Sequence, residues 1–266
     1  MIECCELNNL KEIEDLRLRY IESLVAPMDG MWESAIIENS TFWIIKCDGS
    51  KAGYFCVDEN MCLLQFELLE KYRNLARDIF CYIISSKNIR NANCSTIEPF
   101  YLSLCLDLTK RVSVNSYLFY DGKRVKPLLI KFNNKIFKQA TIREMDKLID
   151  FYRINTEGSN EWIPEFIEQL IQREQLFVLY DDENILGTGE CIISQKQKPY
   201  ADIGMVVSKE YRRMGIGTYI LTLLKEHCYE KNCRPICSSS QTNIGSIKAI
   251  EKAGFMSNHR ILNITF

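Results

Sequence analysis

Between residues 200 and 218 the chain reads YADIGMVVSKEYRRMGIGT, a stretch that concentrates features suited to holding an anion. An apolar strand, 201–207, runs into Arg212-Arg213-Met214-Gly215-Ile216-Gly217, and a helix follows. Glycine costs a helix interior about 1 kcal/mol relative to alanine, so two of them at a helix start call for a reason. A strand that leads into a glycine-bearing helix N-terminus exposes several backbone N–H groups, and the helix dipole adds to their positive potential. That combination binds phosphate. The missing side chains let a diphosphate approach the main chain closely. A tight strand-to-helix turn is the plainer use of the same glycines. The segment is not a P-loop, because no Gly-Lys-Ser/Thr follows, and Ile220 stands where a dinucleotide fingerprint has its third glycine.

The elements that position this segment can be read from residue 141 onward. Thr141-Ile-Arg-Glu144 is a capping box, followed at helical spacing by Met145, Leu148, Ile149 and Tyr152. A second helix starts near Asn160, with Ile163, Phe166, Ile167, Leu170 and Ile171 on one face. Residues 176–180 and 185–194 read as a hairpin around Asp181-Asp-Glu-Asn184. After the strand 201–207 and its glycines, a helix carries Ile220, Leu223, Leu224 and Cys228 and stops before Pro235. Residues 236–240 form a strand, Asn243 opens a helix that ends at Gly254, and 260–266 closes as a strand.

The first half repeats this order. A helix is expected over 9–24, and FWIIKCDGSKAGYFCV (42–57) matches FVLYDDENILGTGECI (177–192), with Gly53 opposite Gly187. The stretch 60–84 matches 200–224 in the order of its elements, and with the register set on Tyr72-Arg73 opposite Tyr211-Arg212 the separation is 139 residues (211 − 72). Residues 92–98 stand for the strand 236–240. Ordered self-similarity of this kind is a fold signal. It divides the chain into residues 1–134 and 135–266, joined near the basic stretch 122–138. Opposite Gly215 and Gly217 the first copy has Ala76 and Asp78, and Asp78 puts a carboxylate where an anion would sit.

The motif Arg212-Arg213-Met214-Gly215-Ile216-Gly217 resembles the R/Q-x-x-G-x-G/A acyl-CoA motif of the GNAT N-acyltransferase superfamily. NIGSIKAIEKAGF (243–255) is similar to the family's later Asn-led helix ending in Gly-Phe. The resemblance implies an α/β fold: two tandem GNAT-like domains, each a mixed, mostly antiparallel twisted sheet flanked by helices, with 1–134 the degenerate copy. It implies acetyl-CoA as cosubstrate and direct attack by a primary amine in a ternary complex. The N–H groups from Arg212 through Met214, Gly215, Ile216 and Gly217 to Thr218 would hold the pyrophosphate. Met205, Val206 and Val207 would pair with the pantetheine arm as an added strand does, and an N–H there would polarise the thioester carbonyl. Asn243 and Ser246 would complete the cofactor site, although Asn243 is equally a plain helix cap.

Direct transfer to an amine needs a base, because an alkylamine is almost wholly charged near neutrality. Glu190, in the apolar run 185–194, and Asp202, at the head of strand 201–207, are the candidates. In many members of the family a tyrosine four residues before the Gly-Phe glycine protonates the leaving thiolate; here Ile250 occupies that position. A catalytically silent acyl-CoA-binding or partner-binding protein is therefore the rival reading. Glu157, Glu161 and Trp162 are candidates for receiving the acceptor amine through charge and a π face.

Bulk properties narrow the partners. The chain has 266 residues, 47% hydrophobic and 26% charged, enough for a sizeable core. A net charge of −2 argues against nucleic acid. No apolar run reaches the roughly 18–20 residues of a membrane span, and the polar, acidic N-terminus is unlike a signal peptide. Most of the twelve cysteines sit in apolar stretches, with no CxxC pair and two histidines, which reads as free thiols and no metal site. The expectation is a cytoplasmic protein, monomer or homodimer, acting on a small-molecule or peptide amine.

Overall fold

A computed structural model describes residues 1–127 and 130–266; Leu128 and Leu129, within the expected connecting stretch 122–138, lie outside the described residues. The chain forms two compact units, Met1–Tyr117 with His259–Phe266, and Leu118–Asn258. The sequence division at 134/135 followed the repeat. The compact units instead follow strand pairing, which returns the last eight residues to the first unit.

In the first unit the order is β1 (Ile2–Glu6), α1 (Glu14–Ser23), β2 (Thr41–Cys47), β3 (Ser50–Val57), β4 (Leu63–Leu68), α2 (Ala76–Ser86), β5 (Asn91–Ser95) and α3 (Pro99–Leu108); β6 (Arg111–Asp121) then leads out of it. Strands β1 to β4 pair antiparallel in sequence order, and β4 then meets β5 in parallel. Residues Ile261–Thr265 pair antiparallel with Ser95–Asn91. The core packs Phe55, Phe66, Phe80, Ile83, Tyr101 and Ile264. The helix expected over 9–24 is a short 3-10 turn, Leu10–Ile13, capped by Asn9, and then α1. Strand β1 was not foreseen, since its IECCE alternates only weakly between apolar and polar.

The second unit runs β7 (Lys135–Gln139), α4 (Met145–Asn155), α5 (Ile163–Gln172), β8 (Leu176–Asp181), β9 (Asn184–Ile193), β10 (Tyr200–Val207), α6 (Ile216–Glu230), β11 (Arg234–Ser240), α7 (Ile244–Lys252) and the start of β12 (Phe255–Thr265). Strands β7 to β10 are antiparallel neighbours in order, and β10 meets β11 in parallel. Each unit is thus a mixed, mostly antiparallel sheet with flanking helices, as expected. Thr141 and Glu144 form the capping box, with the Thr141 N–H donating to Glu144 Oε2 at 3.0 Å. The expected apolar face of α5 is buried at Ile163, Ile167, Leu170 and Ile171.

The registers make the repeat a physical one. Gly53 pairs with Leu68 as Gly187 pairs with Val207. A Cβ on Gly53 would collide with the Glu67 carbonyl, and one on Gly187 would stand 2.8 Å from the Val206 carbonyl. Both glycines therefore admit the same close approach of the next strand.

Candidate active site

Parallel pairing of β10 with β11 covers only Tyr200–Asp202 against Arg234–Ile236. Beyond that rung β11 continues to Ser240, while β10 continues to Val207 paired with β9 alone. The two strands part into a wedge. Among the described residues, Gly204 to Val207 have no strand partner on that side, so their main-chain groups offer an edge to which an extended chain can add.

The loop that closes the wedge has a backbone few residues adopt. Arg212 is extended, Arg213 has φ +66°, and Gly215, the N-cap of α6, has φ +84°. The left-handed region favours glycine, which explains Gly215 by its backbone. Gly215 supplies no capping side chain, and the first helical bond runs from the Tyr219 N–H to the Gly215 carbonyl. The N–H groups of Ile216, Gly217 and Thr218 therefore have no acceptor inside the helix, and the positive end of α6 faces outward through exposed Arg212–Gly215. This suits an anion.

Gly217 has a different reason to be glycine. It is buried, and a Cβ there would press within 3.3 Å of the Met205 thioether and 3.5 Å of Ala249 Cβ. Its bareness lets α6 settle against β10 and α7. Thr218 is likewise turned inward, its hydroxyl donating to the Ala249 carbonyl at 3.2 Å. At Ile216, Gly217 and Thr218, what faces a ligand is main chain only.

The matching segment of the first unit is closed. Glu70–Leu75 winds as a 3-10 helix straight into α2, and exposed Asp78 lies in the first turn. No residue there has a positive φ.

Asn155, at the end of α4, pins the open loop. Its side-chain oxygen accepts the Lys209 N–H at 2.7 Å, its amide donates to Phe151 O at 2.7 Å, and its carbonyl accepts Arg212 Nη2 at 2.8 Å. The ring of Phe132 meets Tyr211 edge-on at 5.8 Å. Sequence reasoning missed Asn155, because nothing at position 155 announces a partner more than fifty residues away.

Glu190 on β9 is partly buried opposite Gly204 of β10. A Cβ on Gly204 would collide with the Glu190 carboxylate, so that glycine makes its room. The Tyr152 hydroxyl donates to Glu190 Oε2 at 3.2 Å and accepts from the Thr188 hydroxyl at 3.1 Å. Burial raises the Glu190 pKa above the ordinary carboxylate value, and the Tyr152 hydrogen bond opposes the rise. Asp202 sits on the last shared rung of β10 and β11, paired with Ile192 and Ile236.

The remaining candidates are dispersed. Asn243 caps α7 by accepting the Ser246 N–H at 3.1 Å. Glu157 and Glu161 are exposed, and Trp162 packs edge-on against Phe166 at 5.2 Å with 45% of its surface open. Ile250 is buried, 2% exposed, so that position offers no proton. Among the described residues, no helix is long and apolar enough to cross a membrane, and no group of three or more His, Cys, Asp or Glu is placed to hold a metal ion.

Two family models match, one for a GNAT acetyltransferase domain over residues 9–122 and one for the GNAT acetyltransferase family over 141–255. No curated protein matches. Among solved structures, a GNAT-family acetyltransferase from Colwellia psychrerythraea is similar at 28% identity over 99% of both chains, with a TM-score of 0.92. A GCN5-related N-acetyltransferase from Sphaerobacter thermophilus (12% identity, 99% of this chain and 94% of that one, TM-score 0.66) shares the fold. So does a tandem GNAT protein from the clavulanic acid biosynthesis pathway (12% identity, 100% and 98%, TM-score 0.67). With both halves matched and the full length shared, the chain belongs to the GNAT acetyltransferase family as two GNAT domains in tandem.

Proposed function

We propose that the chain is an acetyl-CoA-dependent N-acetyltransferase whose second unit is catalytic. The observation that carries this is the loop 212–218: main-chain N–H groups without internal acceptors at the start of α6, beside an unpaired edge of β10. The N–H groups from Arg212 to Thr218 hold the pyrophosphate, with Arg213 and Met214 in the exposed turn. Met205, Val206 and Val207 hold the pantetheine along the β10 edge, and Asn243 and Ser246 border it. The cosubstrate would supply an acyl thioester: the amine nitrogen would bond to its carbonyl carbon while the C–S bond breaks, and coenzyme A would leave as the thiolate. Glu190 accepts the amine proton, and a main-chain N–H of β10 stabilises charge on the carbonyl oxygen. Asp202 is the alternative base. Glu157, Glu161 and Trp162 receive a cationic small-molecule or peptide amine, and the protein works in the cytoplasm as a monomer or homodimer.

Gly215 provides the test. Aspartate tolerates a left-handed backbone better than bulky residues do, and a Cβ at 215 meets only Ile130 at an ordinary 3.6 Å. Gly215→Asp and the neutral Gly215→Asn carry the same backbone strain at φ +84°, so the difference between the two variants reads the negative charge added to the anion site. Acetyl-CoA affinity by calorimetry is expected to be at least about tenfold lower in the aspartate variant than in the asparagine one, roughly 1.4 kcal/mol. Equal affinity in the two would remove the loop from the mechanism.

Buried Ile250 favours one rival, an acyl-CoA-binding protein without turnover. Thiol release from acetyl-CoA with a panel of small amines separates the two: it exceeds the uncatalysed rate for an enzyme and stays at background for a silent binder.

A further inference from the structure

The first unit has its own wedge, and its chemistry is different. Strand β4 meets β5 only at Leu63↔Ala92. Above that rung lies a cavity of about 80 Å³, with Tyr20, Phe66, Glu67, Arg73, Glu98 and Phe100 in its wall. One water needs about 10–15 Å³ of such space, so the cavity admits a ligand of a few heavy atoms. By the registers given above, Glu67 stands where the second unit has Val206. Glu98 precedes α3 as Asn243 precedes α7. Two buried carboxylates thus occupy positions that are uncharged in the other unit.

Their partners are unequal. Glu67, 4% exposed, faces Arg73, whose Nη2 donates to Oε1 at 3.1 Å. That guanidinium also lies 3.5 Å from Glu70 Oε2 and 4.4 Å over the Phe100 ring, so its charge is already engaged. Among the described residues, Glu98, 6% exposed, has only uncharged donors: the Tyr20 hydroxyl on one oxygen and the Ser95 N–H on the other. Burial pushes its pKa up to about 7. A buried carboxylate that lacks a cation carries a desolvation cost that a bound cation offsets.

We infer that this wedge binds a small primary ammonium ion, its charge set against Glu98 and Glu67 and its alkyl group against the rings of Phe66 and Phe100. Aromatic walls suit an alkylammonium. Two carboxylates and a hydroxyl fall short of the six to eight oxygens that calcium takes, and the excess of carboxylate repels anions. The site lies wholly within the first unit and does not rest on acetyl transfer by the second.

The test is calorimetry of ethylamine hydrochloride against the full chain, with sodium chloride at matched ionic strength as the blank. It is run at about pH 8, where Glu98 is mostly ionised and an alkylamine still charged. Saturable binding is expected, weakened at least about tenfold in Glu98→Gln, while acetyl-CoA affinity of the same variant is unchanged. If Glu98→Gln lacks the parent's thermal transition, Glu67→Gln is read in its place, with the same weakening expected. No saturable binding to the parent, or equal binding in the variant read, overturns the site. Because acetyl-CoA is titrated separately, failure of the anion loop cannot be mistaken for failure here.

Discussion

At the scale of single residues, Glu190 is the group whose surroundings set it apart. It is a carboxylate in an apolar strand, given room by Gly204 and tied to Tyr152. Burial raises its pKa, so on acidification it takes up a proton earlier than an exposed glutamate does. A base must be ionised, and kcat/KM in the proposed transfer should climb with pH through the Glu190 pKa before levelling. Tyr152 stabilises the charged form. Tyr152→Phe should therefore raise that pKa further and move the acidic limb toward higher pH. Glu190→Gln should cost about 100-fold or more at neutral pH and leave a residual rate that climbs toward the amine's own pKa. A pH–rate profile of both variants decides the matter. An unmoved limb in the first, together with an unchanged rate in the second, would pass the role to another group.

At the scale of elements, the start of α6 is held open by a neighbour. Asn155 at the end of α4 joins the Lys209 N–H and the Arg212 side chain to its own helix. Asn155→Ala removes the acceptor of the part-buried Lys209 N–H, a loss of up to about 1.5 kcal/mol. Since the loop bears most of that loss, acetyl-CoA affinity should fall about tenfold while circular dichroism keeps the parent's helix and strand content. Parental affinity in that variant would mean the loop holds its shape unaided. This contrast also explains what the sequence made legible. Gly215 could be read because a left-handed backbone leaves its mark on residue type, and Glu190 because a lone carboxylate in an apolar strand is locally odd. Asn155, Thr188 and Gly204 carry no such mark, because what they do is fixed by strand registers and helix placement across long sequence separations. Gly217 was legible as unusual, and its close contacts with Met205 and Ala249 add a packing reason that the sequence did not show.

At the scale of the whole chain, duplication was visible in the order of elements, in a Tyr-Arg pair repeated at an offset of 139 (211 − 72), and in Gly53 and Gly187, which both copies need at the same close approach. The path of the last strand was not. RILNITF has the alternation of a strand, but alternation specifies a face and not a partner. In the structure Ile261–Thr265 form an antiparallel ladder with β5, and Ile264 enters the first unit's core beside Phe80 and Tyr101. The first unit therefore depends on residues more than 150 positions further along the chain than the strand they pair with. A chain ending at Asn258 leaves β5 with the single rung to β4 as its strand pairing within that unit and exposes apolar surface around Phe80. Burial of a side chain such as Ile264 or Phe266 contributes about 1.5–3 kcal/mol, and a lost ladder adds to that, against a total stability of about 5–15 kcal/mol for a domain. Truncation at Asn258 should lower the first unit's thermal transition sharply and increase binding of a hydrophobic dye. The anion loop lies in Leu118–Asn258, so acetyl-CoA binding should survive. Calorimetric scanning with and without acetyl-CoA measures both at once. A first-unit transition unchanged from the full-length chain would show that β5 needs no partner from the C-terminus.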